Sequence, residues 1–158
     1  GLEAALTSLA AMRKQEGATI EAVLGARLDE LARLTDAAEA SPSRTPEAIR
    51  VRLAEQVAGL LDATPALDPD RLHQEAVLLA TKADIREELD RLYAHVAAAR
   101  ELLASAEPVG RRLDFLAQEF NREVNTLCSK SNDKALTAIG LEMKVVVDQM
   151  REQIQNVE

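Results

Sequence analysis

The chain has 158 residues, a length typical of one domain, with 47% apolar and 29% charged residues, as in an ordinary globular protein. Aromatic residues make up only 2% and the net charge is −8. The scarcity of aromatic residues disfavours a β-rich fold, and the acidic balance argues against a general polyanion-binding protein, which needs clustered Lys and Arg.

The first part of the chain has apolar residues at helical spacing over residues 2–38, which predicts one long helix. The stretch "SPSRTPEAIR" then ends it. Thr45 is a favoured N-cap and Pro46 suits the first position of a helix. We therefore expect a second helix that begins here and runs to about Leu61.

The middle of the chain repeats this start signal, because Asp68 is followed by Pro69 and a second acid. A third, long helix is predicted from about residue 70 to residue 103. Its apolar spacing slips in phase around "TKAD", and such a slip indicates a kink.

The last part of the chain predicts two helices separated by the polar turn "CSKSND". The fourth helix is expected over residues 110–127 and the fifth from residue 134 onwards. Two amphipathic helices joined by a short turn are typical of an antiparallel hairpin. The fold class we predict is all-α, with about five helices and an antiparallel hairpin at the C-terminal end.

Several features bear on the setting of the protein. No apolar run approaches the ~20 residues that span a bilayer, and the single cysteine, Cys128, is typical of a reducing compartment. We expect a cytoplasmic protein with no membrane contact. The chain opens with Gly1 inside a helical pattern and has no initiator Met, so we expect it to be part of a longer protein.

The polar face of the fourth helix contains the first candidate site. Glu119 and Glu123 are four residues apart, so their carboxylates lie on one face, close enough to bind one divalent cation together. The alternative interpretation is a pair of solvated acids offset by nearby arginines. Spacing alone does not decide between the two.

The third predicted helix contains a second polar stripe, formed by Asp84, Glu88, Arg91 and His95. A ladder of ion pairs, in which Arg91 reaches both neighbours, is one interpretation. The other is catalytic, because an imidazole can move a proton near neutral pH. No phosphate-binding loop, zinc-finger spacing or nucleophile elbow is present in the sequence.

Three stretches resemble the C-terminal part of the YicC/YloC family of bacterial endoribonucleases. They read "RLHQEAVLLATKADIREELDRLYAHV", "PVGRRLDFLAQEFNREVNTLCSKSND" and "EMKVVVDQMREQIQNVE". The resemblance divides the chain into a variable helical region, residues 1–66, and a family-specific C-terminal helical region, residues 67–158. It implies an oligomeric, cytoplasmic enzyme that cuts RNA internally with a divalent metal.

On this basis we predict a Mg²⁺- or Mn²⁺-dependent endoribonuclease, since such ions activate water for phosphodiester hydrolysis. Glu119 and Glu123 are the predicted catalytic and metal-binding acids, with Glu142 as a third ligand and His95 as a catalytic acid or base. The predicted RNA-binding residues are Arg111, Arg112, Arg122, Lys130 and Lys144.

Two interpretations from other classes stay open. The chain could be a helical oligomerisation scaffold whose catalytic groups lie in a preceding region, because its first helices have long apolar seams. It could also be a helical module that binds a partner protein through its acidic surface.

Overall fold

The computed structural model describes residues 1–156, and the last two residues of the predicted C-terminal region lie outside it. The described chain is all-α, as predicted. The helices are α1 (Leu2–Glu39), a short 3₁₀ helix (Pro42–Arg44), α2 (Pro46–Ala63), α3 (Pro69–Lys82), α4 (Arg86–Ala104), α5 (Gly110–Lys130) and α6 (Lys134–Ile154).

The helix starts that were predicted from local signals are confirmed. The Thr45 hydroxyl accepts the backbone N–H of Ala48 at 3.2 Å, at the first turn of α2. Asp68 accepts the backbone N–H of Asp70 at 3.1 Å, at the start of α3. Each side chain satisfies a backbone donor that has no partner within the helix, and this fixes where the helix begins.

The predicted third helix is in fact two helices, α3 and α4, because the chain breaks at residues 83–85. Asp84 accepts the backbone N–H of Arg86 at 3.0 Å, and its own carbonyl accepts the Lys130 ammonium at 3.2 Å. These contacts satisfy backbone groups that a continuous helix would pair internally. Ile85, which follows Asp84 in the chain, is buried with 1% exposure and anchors the break to the core.

Four helices form the core bundle, in which α4 and α6 each pack against both α1 and α5. The predicted antiparallel hairpin is confirmed as α5 and α6. The core is a continuous cluster of aliphatic side chains around the fully buried ring of Phe120. Only the second half of α1 contributes to this core, since Leu24 is the first of its buried residues.

The remaining helices lie beside the bundle. α2 and α3 pack against each other, and α3 has no buried residue. Arg52 of α2 binds Asp133, the N-cap of α6, at 3.3 Å. The backbone N–H of Leu136 is the main cause that holds the pKa of Asp133 below its usual value. No helix within residues 1–156 is long and apolar enough to cross a membrane.

Gly140 lies where α6 packs tightly against α5. A Cβ added there would lie 2.6 Å from Cys128 Sγ and 3.3 Å from Leu127 Cδ2. Burial raises the pKa of the Cys128 thiol, so this thiol is a packing group and not an activated nucleophile.

We expect Gly140→Ala to lower the free energy of unfolding by about 1 kcal/mol. Overpacking costs roughly 1–3 kcal/mol, and the better helix propensity of Ala offsets about 1 kcal/mol of it. In a Cys128→Ala background the same change should be neutral or stabilising, because the clashing sulfur is gone. Urea unfolding followed by circular dichroism measures both; equal losses in the two backgrounds would show that the contact is not the cause.

Candidate functional site

The polar side chains singled out in the sequence meet where α4 packs against α5. Arg91 on α4 lies opposite Glu123 on α5, and its Nε donates to Glu123 Oε1 at 2.8 Å. One turn towards the end of α4 and one turn towards the start of α5, His95 lies beside Glu119 and Phe120. The two helices therefore run antiparallel, and residues one turn apart on α4 face residues one turn apart on α5.

Glu123 is a buried carboxylate, with 4% of the residue exposed. A buried charge is tolerated only when it is paired and hydrogen-bonded, and Arg91 supplies that partner. Hydrogen bonds to Glu123 and then to Glu87 raise the pKa of Arg91, so the guanidinium stays charged. The second oxygen of Glu123 remains for another ligand.

Three potential metal ligands converge at this point. One ligand atom each from His95, Glu119 and Glu123 lie within 4.8 Å of one another. His95 Nε2 is buried and has no hydrogen-bond partner among the described residues. The Phe120 ring meets the imidazole edge-on at a centroid distance of 5.8 Å and so holds its orientation. The arrangement provides one nitrogen and two carboxylate donors for a single cation.

A second ion pair lies at the other end of the same contact between helices. Lys130 near the end of α5 binds Glu88 Oε1 at 2.8 Å, and Glu88 is only 1% exposed. The predicted ion pair between Glu88 and Arg91 is confirmed at 3.6 Å. Glu88 Oε2 has no hydrogen-bond partner among the described residues. Because the Lys130 ammonium is paired with Glu88 Oε1, it already has a partner within the protein.

The other predicted site residues are dispersed. Glu142 is exposed on α6 and is outside the group formed by His95, Glu119 and Glu123. Arg122 lies 3.8 Å from Glu119. Burial raises the pKa of the Cys128 thiol, and the charge of the nearby Lys144 acts in the opposite direction. Arg111 and Arg112 are exposed at the start of α5. Their roles in RNA binding, and that of Glu142 in metal binding, stay predictions.

The residue that sequence reasoning placed incompletely is Arg91. Its spacing suggested partners on its own helix, whereas its closest carboxylate apart from Glu87 is Glu123 on α5. The period of one helix does not reveal which helix packs against it. The only available signal was that two polar stripes, each bordering an apolar seam, occur on neighbouring amphipathic helices.

Replacing Lys130 tests whether this side chain is structural. We expect Lys130→Met to lower the free energy of unfolding by about 1–3 kcal/mol, because the buried Glu88 carboxylate loses its closest partner. Lys134→Met is the control, since Lys134 is exposed and should change stability by less than about 0.5 kcal/mol. The double change Glu88→Leu, Lys130→Met should recover most of the loss in urea unfolding. A Lys130→Met protein as stable as the unchanged chain would contradict the structural role.

A family model described as "Endoribonuclease YicC-like, C-terminal" matches residues 38–158. A protein of Haemophilus influenzae named "Probable endoribonuclease YicC" is 44% identical over 153 residues, which are 97% of this chain and 52% of that protein. One of the same name from Clostridioides difficile is 36% identical over 157 residues, 99% of this chain and 54% of that protein.

The chain thus spans about half the length of the curated relatives it matches. The resemblance seen in the sequence is confirmed, since the family model covers most of the chain and includes all of α4, α5 and α6. This chain belongs to the YicC-like endoribonuclease family and carries its C-terminal helical region.

Proposed function

We propose that this chain carries the metal-binding catalytic groups of a cytoplasmic endoribonuclease that cuts RNA internally. The observation that carries the proposal is the convergence of His95, Glu119 and Glu123 at the contact between α4 and α5. The names of the two relatives support RNA as the substrate.

The donor set fits a divalent cation. His95 Nε2 is a buried nitrogen with no hydrogen-bond partner among the described residues, and leaving it so costs free energy that a bound cation would recover. Two carboxylates match the preference of Mg²⁺ and Mn²⁺ for oxygen, while the imidazole nitrogen favours a transition metal. Of these two ions, Mn²⁺ is the better match.

The residues of the site divide into ligands of the cation, a residue that orients one ligand, and a contact to phosphate. When bound, a divalent cation supplies activation of water and neutralises charge that develops on the phosphate. Glu119, Glu123 and His95 hold it, while Arg91 orients Glu123 by the hydrogen bond to Oε1. Arg122, with 73% of its side chain exposed, can meet a phosphate of the RNA beside Glu119.

The double change Glu119→Gln, Glu123→Gln tests this proposal in the full-length protein, meaning the chain extended to the length of its relatives. We expect cleavage of a labelled RNA in Mn²⁺ to fall at least about 100-fold, because the two anionic ligands are lost. Calorimetric binding of Mn²⁺ should weaken in parallel. The control is Glu152→Gln, an exposed acid on α6, which should change neither.

Unchanged cleavage by a double variant that circular dichroism shows to be folded would contradict the proposal and make Glu119 and Glu123 structural. Glu142→Gln, compared in the same assay, asks whether the third predicted ligand contributes although it lies outside the three-residue group.

A second function, assembly into a homo-oligomer, is supported by the first half of α1. Its 38 residues make α1 about 57 Å long, and the apolar residues Leu2, Leu6, Leu9 and Met12 are 48–79% exposed. They recur at intervals of four and three, the spacing of a seam between helices. We propose that this seam packs against a second copy of the chain.

Leu6→Lys tests the assembly in the full-length protein. We expect a smaller particle mass in light scattering with unchanged helical content, because a charge in an apolar interface is costly while Leu6 makes no core contact. Val145→Lys, on α6 with 56% exposure against 57% for Leu6, is the matched control. A particle mass that stays the same in Leu6→Lys would contradict this interface.

A further inference from the structure

Phe115 is the exception among the three aromatic side chains of this protein. Phe120 is fully buried in the core. The Tyr93 hydroxyl lies 2.6 Å from Asp36 and 2.9 Å from Glu39 on α1 and donates its one proton to this pair of carboxylates. Phe115 is 60% exposed. A phenyl ring that is this exposed buries little apolar area in the core, so its position on the surface requires another explanation.

The position of Phe115 relates it to the candidate metal ligands. Phe115 and Glu119 are four residues apart on α5, so they lie one above the other on the same face. Arg111 is four residues further towards the start of the helix. Each step is about 6 Å along the axis, which is on the scale of one nucleotide of an extended strand.

Phe115 forms one wall of a cleft between α4 and α5, with a volume of about 390 Å³. Ala98 and Leu102 of α4, together with Leu116, supply apolar lining. His95 and Ala98 are successive positions on the same side of α4, so the cleft continues the contact between helices that holds the metal ligands. A planar apolar group can therefore lie against the ring beside the site.

The rim of the cleft is polar. Arg111 and Arg112 lie on one side and Glu101 on the other. Neither arginine forms an ion pair with another described residue, and both are exposed. Guanidinium groups are suited to phosphate oxygens, and a carboxylate can accept an N–H from the edge of a base. In a chain of net charge −8, the two arginines place positive charge locally at the rim of the cleft.

We propose that Phe115 is a stacking platform for an unpaired base of the RNA, next to the phosphate that is cleaved. An aromatic ring beside arginines is how proteins hold unstacked nucleotides, and a base inside a duplex cannot reach such a ring. This assignment rests on the proposed function. It adds that the preferred substrate is RNA with a single-stranded segment, held by Phe115 through its base and by Arg111 and Arg112 through its phosphates.

The test measures binding and not cleavage, so its failure is distinct from failure of the metal site. Fluorescence anisotropy with a short, labelled, unstructured RNA is recorded for the full-length protein in chelator. We expect Phe115→Leu, which keeps an apolar side chain and removes the ring, to raise Kd about tenfold. Phe115→Tyr should bind like the unchanged protein. Leu141→Ala, on α6 with 55% exposure, should change Kd by less than about twofold.

A second measurement separates stacking from a merely structural role. The chain contains no Trp, so Phe115→Trp introduces a fluorescent ring at this position alone within the 158 residues. We expect saturating RNA to quench its fluorescence, and a fully paired duplex of the same sequence to quench it much less. The difference between this variant and the unchanged protein gives the signal.

Two outcomes would overturn the proposal. One is equal RNA affinity in Phe115→Leu and the unchanged protein; if the particle mass changes as well, Phe115 is a contact between subunits. The other is fluorescence of Phe115→Trp that saturating RNA leaves unchanged. The proposed metal site is judged separately, by cleavage and Mn²⁺ binding in the Glu119→Gln, Glu123→Gln variant.

Discussion

Glu123 lies buried between α4 and α5 with its carboxylate held by Arg91, and this ion pair determines how the two helices that carry the site approach each other. A charge in that position is tolerated because a guanidinium neutralises it and donates a hydrogen bond. The same contact sets the register that brings His95 against Glu119. The Glu88–Lys130 pair holds the end of the contact where α4 begins. Stability and the proposed chemistry therefore depend on one interface.

The proposed site lies at the contact between two helices of the bundle, where the side chains of Glu119 and Arg122 are 20% and 73% exposed. The proposed metal ligands lie at this contact, and the cleft beside Phe115 and the exposed Arg111 follow in one direction along α5. This chain is acidic, so its long-range attraction for RNA is weak and the proposed binding depends on short-range contacts. Stacking suits this situation, since it does not depend on net charge.

The sequence was sufficient for features set by local interactions. Helical periodicity predicted the all-α fold, and the N-caps Thr45 and Asp68 were identified because a cap depends on neighbours within a few residues. The break near Asp84 was predicted only as a kink, since its stabilising contact with Lys130 comes from a helix distant in sequence. The pairing of Arg91 with Glu123 was not predicted for the same reason, because Glu123 lies on another helix. The periodicity of a helix identifies its buried face but not the helix that packs against it.

Anomalous diffraction from a crystal of the full-length protein grown with Mn²⁺ would test whether one divalent cation binds between α4 and α5. We expect one strong anomalous peak bonded to His95, Glu119 and Glu123, with the hydrogen bond from Arg91 to Glu123 preserved. A Mn²⁺ peak at other residues, with His95 Nε2 lacking a ligand and Glu119 free, would contradict it.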